Sequence, residues 1–453
     1  MEKTYQRIIS LKNILVKGLL GGIFLLAALL PCSSDAQTIR LISDEETEQY
    51  LAEILLPLYK AAGINFYRNN IFIVDDNSLN AFVADGNKMF VHTGTIIKAD
   101  NSNEISGVLA HETGHIMGGH IIRQKLKSQD MYEVSLISAI LAGATAAVSG
   151  RGDAAMAVLL GGQSSALNHY TRYRTEEERS ADESAAKLLE ETKQSASGIL
   201  NFMKKITKEN ILSGREETPY FRTHPVTNER IAFFERIAKN NSYNANKHNA
   251  KFLRIKAKLK AYLQKPEQTL REYPLAKTDI VSQYAHAIVF TKQLKFAQAL
   301  QKMDGLLTVE PNNPFFYELK GQILLETGKL KEAKDNFAKA YNLMPESHLM
   351  QINYAQVILE DNPTKSDAQQ AIKLLNKSLI RTQSGYAWML LAKAYGLSDN
   401  MAAANYASAE YSLKIGNKDA AKRQLKEAYK YPLDKQLRLK IDDLENRIKH
   451  LDK

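Results

Sequence analysis

The run His-Glu-Thr-Gly-His at residues 111–115 constrains the fold of this chain more than any other feature. Histidines four residues apart lie on one face of an α-helix, about one turn from each other. From there both imidazoles can bind one Zn²⁺, while Glu112 reaches the water that the ion binds. The stretch from Asn101 to Glu104 offers N-cap side chains, and apolar residues follow at helical spacing. The run therefore predicts a metal-binding helix with Glu112 as general base.

A catalytic zinc site usually has three protein ligands and one open position. In the metzincin pattern the third histidine would stand at position 121. His120 is one residue earlier, so on a continuous helix its side chain would point about 100° away from that direction. We therefore interpret His120 as structural. Glu178 and Asp182 share one helical face, so one carboxylate can bind the metal while the other accepts the N–H of a ligand histidine. A solvated acidic helix face is the alternative for these two residues.

Several sequence blocks resemble, in the same order and at ordinary spacing, those of the HtpX/BepA group of bacterial zinc endopeptidases, which is related to the CAAX prenyl proteases. The resemblance covers roughly residues 44–240. The blocks are 80–86, 89–94, 108–115, 178–182, 222–225 and 229–231.

The resemblance implies a ligand set and an activity. It implies one Zn²⁺ per chain, held by His111, His115 and Glu178, with Asp182 as the partner of a ligand histidine. It also implies that His224, in a Thr-His-Pro block, lies near the metal and stabilises the transition state or gates the site. The expected activity is peptide-bond hydrolysis with Glu112 and His224 as the catalytic residues.

Two short segments, Phe72–Val74 and Met89–His92, have the composition of strands, and residues 85–87 predict a hairpin turn. An edge strand beside the zinc would bind an extended substrate through main-chain hydrogen bonds. The residues expected to form this substrate-binding edge are Asn80, Ala81, Phe82, Met89, Phe90 and Val91.

The N-terminus has the pattern of a cleavable signal peptide. Basic residues precede an apolar run from Leu19 to Leu30, and small residues stand before a cleavage site after Ala36. This run is too short for a membrane anchor, so we expect secretion into the periplasm. Lipoprotein processing at Cys32 is the less favoured alternative, because Pro31 fits that signal poorly. Cys32 is the only cysteine, so the mature chain would contain no disulfide.

Two apolar segments, 134–148 and 154–167, lie between the two metal-binding blocks. Each has 14 or 15 residues, whereas a membrane-spanning helix needs about 20. One interpretation is a helical hairpin packed on the protease domain. The alternative is an apolar flap that makes peripheral contact with a membrane or with unfolded substrate.

A period of 34 residues begins beyond the Asn-rich stretch 240–246. It predicts tetratricopeptide repeats, with the clearest copies at 280–313 and 314–347. A third copy, 348–383, contains about four inserted residues, and a fourth is shortened; a generic helical bundle is the alternative. The recurring positions are Ala299 and Ala333, Pro311 and Pro345, and Phe296 and Leu330.

The two halves of the chain differ in charge. Residues 250–453 hold 33 basic and 22 acidic residues, a net charge of +11, whereas residues 37–249 hold 23 and 26, a net charge of −3. The signal peptide argues against nucleic acid as the partner of the basic half. An acidic partner or an anionic membrane surface fits better, and a solubilising role fits equally well.

The sequence therefore predicts a mainly helical α+β protein. It would consist of a signal peptide (1–36), a zincin-type metalloprotease domain with a small β-sheet (37–249) and an all-α tetratricopeptide solenoid (250–453). By resemblance to BepA-like proteins, its substrates would be misfolded or misassembled envelope proteins, and the repeats would bind substrates or the outer-membrane assembly machinery. The alternative is a chaperone or scaffold whose zinc site is closed by His224. A third hypothesis is an integral-membrane protease that uses residues 134–167.

Overall fold

A computed structural model describes most of the chain after residue 39. The predicted signal peptide and the apolar segments 134–148 and 154–167 lie outside the described residues. None of the helices within the described ranges is both long enough and apolar enough to cross a membrane. The described ranges are 40–84, 87–120, 174–213, 219–240, 243, 248–382 and 384–450.

A four-stranded sheet lies in the N-terminal half, with strand order β1-β2-β4-β3. β2 and β4 are parallel, and the other two pairs are antiparallel. Both predicted strands are found, and Ala84 pairs with Lys88 across the predicted hairpin. The strands are β1 (Leu41–Ile42), β2 (Ile71–Val74), β3 (Ala81–Ala84) and β4 (Lys88–His92).

The strand order corrects one prediction about the substrate-binding edge. β4 pairs with β2 on one side and β3 on the other, so its main chain is already hydrogen-bonded on both sides. Met89, Phe90 and Val91 are therefore not at an edge of the sheet, and their assignment to the substrate-binding edge is wrong. Among the strands that the structure describes, β3 has a neighbour on one side only, so it is the hairpin strand at an edge of the sheet.

Within the described ranges, seven helices of the N-terminal half share one hydrophobic core with the sheet. Their core joins buried residues of the sheet, such as Ile73 and Met89, to buried residues of the helices, such as Leu55, Leu109 and Phe202. The helices are α1 (Glu45–Ala61), α2 (Thr93–Lys98), α3 (Ser102–Met117), α4 (174–191), α5 (Ser197–Ser213), α6 (Pro219–Thr223) and α7 (Asn228–Asn240).

Twelve further helices follow within the described ranges, and the eight between residues 280 and 414 pack as four successive pairs, as in tetratricopeptide repeats. The helices are α8 (Asn249–Leu263), α9 (Pro266–Glu272), α10 (Ile280–Lys292), α11 (Phe296–Val309), α12 (Pro314–Glu326), α13 (Leu330–Leu343), α14 (His348–Glu360), α15 (Lys365–Leu379), α16 (Gly385–Leu397), α17 (Met401–Lys414), α18 (Lys418–Ala428) and α19 (Lys435–His450).

The spacing of these pairs refines the predicted repeats. The first helices of the four pairs begin at 280, 314, 348 and 385, and α18 begins at 418, which gives spacings of 34, 34, 37 and 33 residues. The third repeat is thus longer by three residues, and the fourth is shorter than the period by one. Adjacent helices pack closely, because Gly321 lies where a Cβ atom would stand 3.1 Å from the ring of Phe337. The predicted solenoid is confirmed.

Helix α8 joins the protease core to the solenoid. Phe252, Ile255 and Leu259 on this helix belong to the protease core, whereas Ala257 and Ala261 belong to the core of the first repeats. The domain boundary between residues 249 and 250 stays a prediction. The helix that follows this boundary serves both cores.

Candidate metal centre

Two helices and one loop bring the predicted site residues together. α3 carries His111, Glu112 and His115, α4 carries Glu178, and His224 follows α6; all are at most 6% exposed. α3 and α4 approach closely at Gly114, where a Cβ atom would lie 2.5 Å from the carbonyl oxygen of Ala181. The glycine that weakens α3 as an isolated helix thus allows α4 to lie against the metal-binding run.

Four donor atoms form a compact cluster, one each from His111, His115, Glu178 and His224. Nε2 of His111 lies 3.1 Å from Nε2 of His115, 3.3 Å from Nδ1 of His224 and 3.3 Å from Oε2 of Glu178. Oε1 of Glu178 lies 3.4 Å from His115 Nε2 and 3.1 Å from His224 Nδ1. Ligands about 2.0–2.1 Å from a tetrahedral Zn²⁺ lie about 3.3 Å from one another. The donor separations therefore fit one such ion.

Asp182 and Arg230 support this cluster from behind. Oδ1 of Asp182 lies 2.9 Å from Nδ1 of His111, the nitrogen that faces away from the cluster. Arg230 donates to both carboxylate oxygens of Asp182 at 2.6 and 2.8 Å, and its Nη1 lies 2.9 Å from Oε2 of Glu178. Burial raises the pKa of the Asp182 carboxyl, but the Arg230 guanidinium outweighs it and holds this pKa below its usual value.

Glu112 lies at the cluster as a buried carboxyl group. Neither of its oxygens has a hydrogen-bond partner among the residues that the structure describes. Oε1 lies 3.5 Å from Nε2 of His224. Burial raises the pKa of Glu112, although His224 and His111 oppose this shift. An uncompensated buried carboxyl group is costly, so this position suits a residue that interacts with a bound ion and its water.

The two histidines of the helix titrate differently without an ion. Burial lowers the pKa of His111, but Asp182 and Glu178 have the larger, opposite effect, and the net result is a pKa of about 9. Burial and positive charge on His111 and His224 lower the pKa of His115 to about 3. Burial raises the pKa of Glu178, but the histidines hold it well below its usual value. A metal ion would therefore bind in exchange for a proton on His111.

The loop that carries His224 is held from two sides. The ring of Tyr220 packs against that of His224, with centroids 4.6 Å apart and the ring planes at 31°. Arg174 donates to the carbonyl oxygens of Arg222 and Thr223. His224 is thereby placed as a fourth donor beside the three predicted ligands.

Sequence reasoning missed two residues of this site. Arg230 stands in the block 229–231, but nothing in its spacing indicated a bond to Asp182. His120 was interpreted as structural on the assumption that the helix continues, whereas α3 ends at Met117. Its Nδ1 lies 2.9 Å from Nδ1 of His115. The run Gly118-Gly119 was the available signal that the helix stops before His120.

The predicted substrate-binding residues lie beside the metal helix, since α3 packs against β3. The main chain of Asn80 is already occupied: its N–H donates to Thr95 Oγ1 at 2.8 Å, and its carbonyl accepts from the His92 N–H at 3.0 Å. In antiparallel strands, every second residue directs its main-chain N–H and C=O groups toward the neighbouring strand. The main-chain groups of Phe82, two residues after Asn80, therefore also face β4. The main-chain groups of Ala81 and Val83 face the open edge.

The fold and the site define a metalloprotease joined to a tetratricopeptide-repeat solenoid. The family model for peptidase family M48 matches residues 45–238 of this chain.

The chain is similar to the Beta-barrel assembly-enhancing protease of Escherichia coli, with 23% identity over 84% of this chain and 78% of that protein. It is 30% identical to the Mitochondrial metalloendopeptidase OMA1 of Schizosaccharomyces pombe over 16% of this chain and 22% of that protein. Among solved structures, the TPR protein YrrB matches 43% of this chain and 98% of its own, with 15% identity and a TM-score of 0.32.

Proposed function

We propose that this chain is a zinc-dependent endopeptidase that hydrolyses misfolded or misassembled envelope proteins in the periplasm. The observation that carries the proposal is the cluster of four buried donor atoms within 4.8 Å of one another, beside the carboxyl of Glu112, which has no hydrogen-bond partner among the described residues. A purely structural metal site does not account for a buried carboxyl group beside the ligands. A hydrolytic site does, because a carboxylate there can act as the general base for the attacking water.

Each residue has a defined role in this proposal. When bound, zinc supplies a Lewis acid and lowers the pKa of water at the site. His111, His115 and Glu178 hold the ion, and Asp182 fixes the ring of His111 through its Nδ1. Glu112 accepts the proton of the attacking water and donates it to the leaving amine.

The open edge of β3 is the proposed place for the substrate backbone. An extended peptide would exchange main-chain hydrogen bonds with Ala81 and Val83, which lie next to the metal helix. Such binding depends on the backbone and places few demands on the substrate sequence. This property suits an enzyme that acts on many misfolded proteins.

The envelope substrates and the location are supported by two independent observations. A relative named for enhancing β-barrel assembly aligns with 84% of this chain, including the repeats. The first 36 residues have the pattern of a signal peptide. The solenoid would bind substrates or the assembly machinery at the outer membrane.

The experiment that tests this proposal compares zinc content and casein cleavage in the purified protein and in Glu112→Gln. The expected result is one zinc per chain in both proteins, with cleavage lost only in the variant. Glu104→Gln is the matched control, because Glu104 is a buried carboxyl on the same helix that pairs with Lys205 at 2.8 Å. Equal cleavage by Glu112→Gln and the unaltered protein would refute the role of Glu112.

A second candidate function is that of a chaperone or scaffold whose zinc site is closed. One observation favours it: Nδ1 of His224 occupies the fourth donor position, where a catalytic site keeps water. The variant His224→Ala separates the two. Casein cleavage that appears only in this variant identifies His224 as the gate, whereas cleavage that falls below that of the unaltered protein assigns it to transition-state stabilisation.

A further inference from the structure

The turn after the metal helix brings an additional histidine against His115. α3 ends at Met117, and Gly119 has a φ of +63°, a backbone conformation that glycine adopts without strain. The chain therefore folds back over the end of the helix. His120 becomes 1% exposed, with its Nδ1 2.9 Å from Nδ1 of His115.

We propose that His120 is a positioning residue of the metal centre, whose Nδ1 accepts a hydrogen bond from the Nδ1–H of His115 and so holds Nε2 of His115 toward the ion. The inference rests on the proposed function, because it takes His115 as a zinc ligand. Nε2 of His115 is the nitrogen that lies 3.1 Å from His111 and 3.4 Å from Glu178. A neutral imidazole that binds a metal through Nε2 carries its proton on Nδ1. That proton then points at the Nδ1 lone pair of His120.

The two ligand histidines are thus supported by different groups. Ligand histidines in zinc sites usually donate their other N–H to a carboxylate, a carbonyl or a water. For His111, the group in this position is Asp182, whose Oδ1 lies 2.9 Å from Nδ1 of the histidine. For His115, the geometry puts a second imidazole in the same role.

Gly118 offers a way to move His120 without altering it. A Cβ atom at Gly118 would lie 2.2 Å from Nε2 of His120, and its next two neighbours would be ring atoms of the same histidine at 2.6 Å. Gly118 has a φ of −70°, which suits alanine. The substitution Gly118→Ala therefore displaces the ring of His120 while the backbone keeps its conformation.

The test measures the zinc dissociation constant of the full chain by competition with a chromogenic chelator, and records the absorption spectrum of the Co²⁺ form. We expect about 10–100-fold weaker zinc binding in His120→Ala and Gly118→Ala. His120→Asn should bind zinc nearly normally, because its amide oxygen can take the place of Nδ1. The double variant, Gly118→Ala with His120→Ala, should bind zinc no more weakly than His120→Ala alone, because the two changes remove the same interaction.

A control variant and a fold measurement make the outcomes decisive. His286→Ala, at a buried histidine in α10, should leave zinc binding unchanged. If His120→Ala does not fold, Gly118→Ala and His120→Asn still decide the question. Unchanged zinc affinity and an unchanged Co²⁺ spectrum in folded His120→Ala or Gly118→Ala would overturn the role of His120 and leave the proposed function intact. An unaltered protein that binds no zinc would overturn the proposed function and this inference with it.

Discussion

Removing the charge of Arg230 tests how much this guanidinium stabilises the buried carboxylates of the site. Its guanidinium is paired with both Asp182 and Glu178, and it is 7% exposed. Replacing it with methionine keeps the approximate volume of the side chain and leaves two buried carboxylates with no guanidinium. Breaking a buried ion pair by removing one partner costs about 3–5 kcal/mol. We therefore expect Arg230→Met to destabilise the zinc-free protein by about that amount.

Zinc should reduce this cost. The ion would neutralise Glu178 in place of the guanidinium, so the destabilisation should be smaller in the zinc-loaded protein. The assay is thermal unfolding with zinc and with a chelator, because the difference between the two conditions isolates the charge that the ion replaces. Arg236→Met is the matched control, since Arg236 is an exposed arginine of the same helix.

The partner of Arg230 can be checked in a double-variant cycle. If Arg230 acts mainly on Asp182, then Asp182→Asn combined with Arg230→Met should cost less than the sum of the two single changes. The reasoning would be refuted if Arg230→Met lowered the melting temperature no more than Arg236→Met does. It would also be refuted if zinc made no difference to the cost.

Three further predictions follow from the same structure. Asp182→Asn should weaken zinc binding about 10–100-fold, because the amide is a weaker acceptor for the His111 N–H; chelator competition measures this. In zinc-free protein, His111 has a pKa raised to about 9, so the stability it contributes should be complete below its unfolded value of about 6.5 and lost as pH rises through 9. Melting temperatures from pH 6 to 10 should show this loss, and His111→Ala should remove it. Glu46→Gln should cost about 3–5 kcal/mol, because Glu46 is 2% exposed and pairs with Arg254 and Lys258; faster proteolysis between the two cores would reveal it.

The sequence predicted the residues that meet at the site better than it predicted their surroundings. The spacing of His111 and His115 requires only local helix geometry, and the structure brings both beside Glu178 and His224 as expected. Their roles stay predictions. Arg230 could not be identified in this way, because its contact with Asp182 depends on how α4 and α7 pack.

The errors have a common physical origin. His120 was placed by extending the helix through two glycines, and the positive φ at Gly119 ends that helix instead. Met89 to Val91 were placed at an edge because a hairpin shows which strands are adjacent but not which one has a further neighbour. β2 fills that position through a parallel pairing, which no local pattern in the sequence encodes.

Helix α1 explains how the repeats can bear on the metal helix. The acidic residues at its N-terminus face the solenoid side: Glu46 bonds to Arg254 of α8 at 2.6 Å and accepts from Tyr284 of α10 at 3.1 Å. The body of α1 packs against α3, which carries the metal-binding run. One helix therefore contacts both the repeats and the helix that carries the metal-binding run. A change in how the first repeats pack on α1 would reach α3 through a single helix, because a close-packed interior passes displacement on to its neighbours.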